Sequence, residues 1–121
     1  MTVLDASALL AYLQGEDGSD VVEECLQSGG ACGTANWAEV AQKVRGHGGD
    51  WRLARALLTS YGLCLEPVTV DDAEHAALSW VPGSGLSLAD RLCLALGQRL
   101  DAAIVTADRS WGTSHSIRQI R

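Results

Sequence analysis

The chain has 121 residues, of which 47% are hydrophobic, and a formal net charge of −6. This length and apolar content suit one compact domain over residues 1–121 with a core of its own. No apolar run approaches the roughly 18 residues that a membrane span requires. The negative charge counts against a large non-specific nucleic-acid surface.

The cellular compartment is predicted to be the cytoplasm. The N-terminus lacks a basic region followed by an apolar segment and a cleavage site. The four cysteines form no C-x-x-C pair, and His47, His75 and His115 do not complete a zinc pattern with them. We therefore expect reduced, mostly buried thiols.

Strand and helix signals alternate along the whole chain. Strands are predicted over residues 1–4, 31–33, 63–68, 103–106 and 116–120. Helices are predicted over residues 6–13, 21–26, 35–45, 51–61, 70–80 and 88–100. This alternation predicts an α/β fold, a three-layer α/β/α sandwich around a short, mainly parallel central sheet.

Local signals predict where several of these elements begin and which face they bury. Thr34, Asp50 and Ser87 are predicted N-caps, and Asp90 lies three residues after Ser87, as in a capping box. Pro67 suggests that the third strand is an edge strand. The last helix is expected to bury a stripe of leucines at a spacing of four: Leu88, Leu92, Leu96 and Leu100.

Four acidic residues follow strands or lie early in helices. Asp5 ends the first strand, Glu39 lies on the third helix, Asp90 opens the last helix, and Asp108 follows the strongest strand signal. Carboxylates beyond the carboxyl ends of parallel strands converge in one crevice. Like charges resist joint ionisation there, and Mg²⁺ prefers oxygen ligands. The pattern therefore predicts a metal-dependent enzyme.

Each acidic residue also has an ordinary structural explanation. Asp5 could cap a helix, Glu39 could pair with Lys43 in solvent, Asp90 could complement a helix dipole, and Asp108 could belong to a turn. The joint pattern favours a site over four separate coincidences.

Neighbouring side chains have two interpretations each. Ser7 and Thr106 lie two residues from Asp5 and Asp108, so they could support the carboxylates or bond locally to the backbone. Arg91 and Arg109 could contact phosphates at the rim or form solvated surface pairs.

Four segments resemble, in the same order, the motifs of PIN-domain ribonucleases. They are VLDASALL at residues 3–10, TANWAEV at 34–40, LSLADRLCLALG at 86–97 and IVTADRSW at 104–111. The resemblance covers essentially the whole chain, and the small single-domain length is similar to that of the toxins of bacterial VapBC toxin–antitoxin modules. Cys93 and Gly97 depart from the alanines common in the third motif.

The resemblance implies a PIN-like fold and a Mg²⁺- or Mn²⁺-dependent endoribonuclease that acts as a toxin. It assigns metal binding and catalysis to Asp5, Glu39, Asp90 and Asp108, with Thr106 and Ser7 in support. It also implies an RNA substrate such as tRNA or rRNA, a homodimer, and a cognate antitoxin protein that blocks the site. A PIN-like module that binds RNA or a partner with little catalytic activity is the alternative, and DNA is a lesser candidate substrate.

Overall fold

A computed structural model describes residues 1–114 and 116–121, so His115 lies outside the described residues. The strands are β1 (Thr2–Leu4), β2 (Gly30–Gly33), β3 (Cys64–Glu66), β4 (Ala103–Thr106) and β5 (Ile117–Gln119). The helices are α1 (Ala6–Gln14), α2 (Ser19–Gln27), α3 (Thr34–Gly46), α4 (Trp51–Ser60), α5 (Val70–Leu78) and α6 (Leu88–Leu100), followed by a 3₁₀ turn, Arg109–Trp111. No helix within this described part combines the length and apolar character needed to cross a membrane.

The strands form one five-stranded sheet in the order β3-β2-β1-β4-β5, and every pairing is parallel. The sheet confirms the predicted α/β class. β3 is an edge strand, as Pro67 suggested, and it ends at Glu66, short of the predicted end at residue 68. The β1–β4 register pairs Leu4 with Val105, so the residues that follow them, Asp5 and Thr106, come side by side.

Buried side chains cover both faces of this sheet, which gives three layers. Val3 and Ile104 pack with one cluster, whereas their neighbours Leu4 and Val105 pack with the other. Successive strand residues point to opposite faces, so the two clusters lie on opposite sides of β1 and β4. The predicted α/β/α sandwich is therefore confirmed.

The predicted leucine stripe of α6 is wrong at its first turn. Leu88 is 57% exposed, and the buried residues of the helix are Cys93, Ala95, Leu96 and Gly97. A spacing of four residues advances about 40° beyond a full turn at each step, so four leucines spread around a straight helix. Gly97 marks the true contact face, because a Cβ there would lie 2.6 Å from Cδ1 of Ile104.

The capping predictions have mixed outcomes. The Asp50 carboxylate accepts from the backbone N–H of Leu53, and Ser87 forms the expected capping box with Asp90. Thr34 is instead the first residue of α3, and Gly33 is its N-cap without a side-chain hydrogen bond.

A partly buried ion pair connects the edge of the sheet to the outer helices. The Asp72 side chain on α5 is 5% exposed and accepts from Nε of Arg99 on α6 at 3.1 Å. Nη2 of Arg99 also lies 3.6 Å from Glu66 at the end of β3. Burial raises the pKa of Asp72, but the hydrogen bonds from Arg99 and Thr69 outweigh it, and the net pKa is lowered.

Replacing Asp72 with asparagine is expected to destabilise the protein by about 1–2 kcal/mol at neutral pH, through loss of the cap and the ion pair. Because the folded-state pKa lies below the ordinary value of 3.8, the stabilisation is present above that value. It is lost as the pH falls through the lowered pKa. Urea unfolding of wild type and Asp72→Asn across this range measures the difference.

The exposed neighbour Asp71 provides the matched control, since it has no comparable ion pair among the described residues. Asp71→Asn should change the free energy of unfolding by less than about 0.5 kcal/mol. A gap between wild type and Asp72→Asn that stays constant down to low pH would contradict the assignment.

Candidate active site

The four predicted acidic residues line one cavity of about 240 Å³. It opens where β1 and β4 end and where α6 begins, with α3 along one side. Its lining consists of Asp5, Ala6, Ser7, Asn36, Glu39, Lys43, Ser87, Asp90 and Asp108. A larger cavity of about 550 Å³ near the start of β4 has a single carboxylate, Asp101, in its lining. Charge, not size, therefore marks the candidate site.

Asp5 is the most constrained of the acids, and its side chain is buried at the end of β1. Its Oδ1 accepts from the backbone N–H of Ala8 at 2.8 Å and from the Ser7 hydroxyl at 2.7 Å. Its Oδ2 accepts from the Thr106 hydroxyl at 2.6 Å. The Ser7 hydroxyl in turn accepts from the N–H of Ala107 at 2.9 Å. These bonds join the ends of two neighbouring strands.

Both hydroxyls donate to the Asp5 carboxylate, and that of Thr106 also bonds locally to the backbone. The Thr106 hydroxyl donates to Asp5 and accepts from the backbone N–H of Asp108 at 3.0 Å. Oγ of Ser7 and Oγ1 of Thr106 lie 3.2 Å apart. Each hydroxyl has one proton, and each proton points to Asp5, so this last contact adds little.

The pKa of the Asp5 carboxyl reflects a balance of burial and hydrogen bonding. Burial raises the pKa of its carboxyl, whereas the bonds from Thr106, Ala8 and Ser7 lower it and the nearby Asp90 raises it again. The net pKa is raised above its usual value. A positive charge in the cavity would favour the ionised form.

Glu39 is held by a residue to which the sequence analysis gave no role. Asn36 is 1% exposed, and its Nδ2 donates to Oε1 of Glu39 at 3.0 Å and to the backbone oxygen of Ala89 at 3.4 Å. Both acceptors require the amide nitrogen on this side, which fixes the amide orientation. The sequence feature that could have identified Asn36 is its position three residues before Glu39, which places both side chains on one helix face.

Asp90 and Asp108 are each held through one oxygen. Oδ2 of Asp90 accepts from the backbone N–H of Ser87 at 3.0 Å. Oδ1 of Asp108 accepts from the N–H and hydroxyl of Ser110 at 2.9 and 2.7 Å. Gln119 on β5 holds the same loop by donating to the backbone oxygen of Asp108 at 2.8 Å.

The donor set fits a hard divalent cation. Glu39, Asp90 and Asp108 each keep one carboxylate oxygen that accepts no hydrogen bond from a described residue. Carboxylate oxygens are the ligands that Mg²⁺ and Mn²⁺ prefer. Within residues 1–114 and 116–121, no three acidic, histidine or cysteine side chains are close enough to share an ion as they stand.

The basic and aromatic residues near the acids have different locations. Arg91 turns away from the cavity, and its Nη1 donates to the backbone oxygen of Ala76 on α5 at 2.6 Å. Arg109 is exposed on the 3₁₀ turn. Trp111 is 8% exposed and packs in the core, so it orders the loop after Asp108.

Fold and cavity together define a class: α/β domains that gather carboxylates at the carboxyl edge of a parallel sheet. The chain belongs to the PIN domain family, whose family profile matches residues 2–112. A search of curated proteins finds no match.

Two solved structures have the same fold over nearly the whole chain. One is described as a toxin–antitoxin complex from Klebsiella pneumoniae, with a TM-score of 0.77, 20% identity, and coverage of 100% of this chain and 98% of that chain. The other is Mycobacterium tuberculosis VapC20, described as a sarcin–ricin loop cleaving toxin, with a TM-score of 0.72, 17% identity, and coverage of 98% and 99%. At these identities the likeness is one of fold.

Replacing Thr106 with valine is expected to raise the pKa of Asp5 further, because the Thr106 hydroxyl lowers it. The loss of a buried hydroxyl–carboxylate bond should also cost about 1.5–3 kcal/mol of stability. NMR titration of the Asp5 carboxyl in metal-free protein measures the pKa shift. Thr106→Ser keeps the donor and should behave like wild type, and an unmoved Asp5 in Thr106→Val would contradict this network.

The Asn36–Glu39 contact predicts energetic coupling between the two side chains. In a double-mutant cycle of Asn36→Ala and Glu39→Ala, we expect a coupling free energy of about 1 kcal/mol in urea unfolding. Strictly additive effects would mean that Asn36 does not hold Glu39 in solution.

Proposed function

We propose that this chain is a Mg²⁺- or Mn²⁺-dependent endoribonuclease that acts as the toxin of a toxin–antitoxin pair. The observation that supports this most directly is the shared cavity of four carboxylates in a chain of the PIN domain family. Asp5 contributes a rigid, buried carboxylate, and the other three contribute carboxylates with an uncommitted oxygen.

In this proposal Asp5, Glu39, Asp90 and Asp108 hold the cation. When bound, the metal would lower the pKa of water at the site and offset the negative charge of a phosphodiester. Ser7 and Thr106 favour the ionised form of Asp5 against the effect of burial and fix the direction of its carboxylate through the bonds described above. Asn36 holds one oxygen of Glu39 in place by donating to it.

The nucleophile would be a water oriented by the carboxylates. Glu39 and Asp108 each present one oxygen that no described residue bonds, and these oxygens can accept a proton from water. In-line attack of this water oxygen on a backbone phosphorus would break the P–O ester bond opposite to it, and the departing oxygen would take up a proton from solvent. This chemistry is independent of base identity.

The substrate class is proposed to be structured cellular RNA, either tRNA or rRNA. Because VapC20 is described as a sarcin–ricin loop cleaving toxin, the sarcin–ricin loop is the first substrate to test. Arg109, which is exposed beside Asp108, is retained as a proposed RNA contact. Arg91 is not, because its guanidinium lies against α5.

The proposed protein partners are an antitoxin and a second copy of this chain, and both are expected in the cytoplasm. The Klebsiella pneumoniae complex supports a cognate antitoxin for this chain. A groove of about 340 Å³ beside α4 suits an apolar helix, since Leu53 and Leu57 in its lining are 69% and 43% exposed. A homodimer is supported by exposed apolar residues at the end of α5 and just after it, with Leu78 87% and Trp80 59% exposed.

Antitoxin-free protein is expected to cleave tRNA or rRNA into discrete products with Mg²⁺ or Mn²⁺, and to stop when EDTA is added. Asp90→Asn should lose at least about 100-fold in rate, because removing a metal ligand costs no less than removing its supporting partner. Gel analysis of the labelled RNA measures both effects. Asp71→Asn, exposed on α5, is the control and should cleave normally.

The contrary result also has a clear meaning. If folded, metal-loaded protein binds RNA tightly but leaves it intact, the chain is an RNA- or partner-binding PIN module. If products persist in EDTA or in Asp90→Asn, the cleavage is not produced by this cavity.

A further inference from the structure

The candidate cavity has an unbalanced charge. Its lining contains four carboxylates and a single cationic side chain, Lys43. An RNA strand brings one negative charge per nucleotide to this place, and the chain itself has a net charge of −6. The strand on either side of a cut therefore needs a positive partner close to the acids.

Lys43 is placed by the same helix that presents Glu39. The two residues are four apart on α3, so their side chains are neighbours on one face. Lys43 is exposed, and the ion pairs of the described residues involve Arg99 and Arg121 but not Lys43. Lys43 thus lines the cavity and forms no ion pair with a carboxylate among those residues.

The other cationic side chains near the acids do not line the cavity. Arg91 is turned to the backbone oxygen of Ala76. Arg109 is exposed on the 3₁₀ turn and does not belong to the cavity lining. Among residues 1–114 and 116–121, Lys43 is the one cation that lines the acidic cavity.

We propose that Lys43 binds a non-bridging oxygen of an RNA phosphate adjacent to the one that is cut. This inference rests on the proposed nuclease function and adds a substrate-binding residue on the α3 side of the site. Lysine suits the task because it is a flexible point charge with three donors and does not need the fixed geometry of an arginine fork. A phosphate contact positions the strand without reading its sequence, so it should act on all RNA substrates alike.

The test compares Lys43→Gln, Lys43→Arg and the control Arg45→Gln in cleavage and binding assays. Arg45 is exposed and lies two residues further along α3, about 200° around the helix from Lys43. We expect Lys43→Gln to raise KM about tenfold with kcat changed less than about twofold. Lys43→Arg should restore most of the loss, and Arg45→Gln should have the KM of wild type.

Salt dependence separates a phosphate contact from a general effect on the site. For an unstructured RNA oligonucleotide in EDTA, the slope of log affinity against log salt should become shallower by about 0.7 in Lys43→Gln, which corresponds to one phosphate. Arg45→Gln should keep the slope of wild type.

Three results would be decisive in the other direction. If wild type cleaves RNA and Lys43→Gln keeps its KM and salt slope, Lys43 does not bind RNA, and the proposed nuclease function stands. If Lys43→Gln lowers kcat and the urea midpoint with KM unchanged, Lys43 is a counter-charge for the acids and the inference is overturned. If wild type cleaves no RNA with either metal, the nuclease proposal fails, and the salt slope alone then decides whether Lys43 contacts phosphate.

Discussion

The burial of one carboxylate organises this end of the molecule. Asp5 sits beneath the cavity at the end of the central strand β1, where desolvation opposes its negative charge. Donors from the backbone of α1, from Ser7 and from Thr106 on β4 offset part of that cost. The same bonds fix the relative positions of two strand ends and the start of a helix, so the geometry of the site and the local stability of the fold depend on one network.

The remaining acids are held differently, because a nearby residue bonds one carboxylate oxygen of each and the other oxygen accepts no bond from a described residue. Asp90 belongs to a capping box, Asp108 to a turn with Ser110, and Glu39 to the buried amide of Asn36. Holding one oxygen limits side-chain freedom at small entropic cost, while the other oxygen stays open to a ligand. A set of carboxylates arranged in this way gains charge compensation when a cation enters and repels anions when none is present.

Much of the fold could be predicted from local sequence patterns, and the predictions that failed have a common origin. The strands, the parallel layers and the caps at Asp50 and Ser87 depend on hydrophobic alternation and short-range bonds, which the sequence carries directly. The prediction that Leu88 is buried was wrong, because the buried face of α6 depends on which elements pack against the helix. Close approach at Gly97 depends on Ile104, a residue that only the folded chain brings near.

The sequence by itself determined which acids end strands and open helices, because residue type and spacing specify caps, strand ends and helix faces. Only the tertiary structure decided the long-range partners. It placed Thr106 against Asp5 through the β1–β4 register, and it turned Arg91 toward α5 and away from the cavity. It also left Lys43 as the cation beside the acids. Contacts across about 100 residues depend on register and packing between distant segments, which one-dimensional periodicity does not encode.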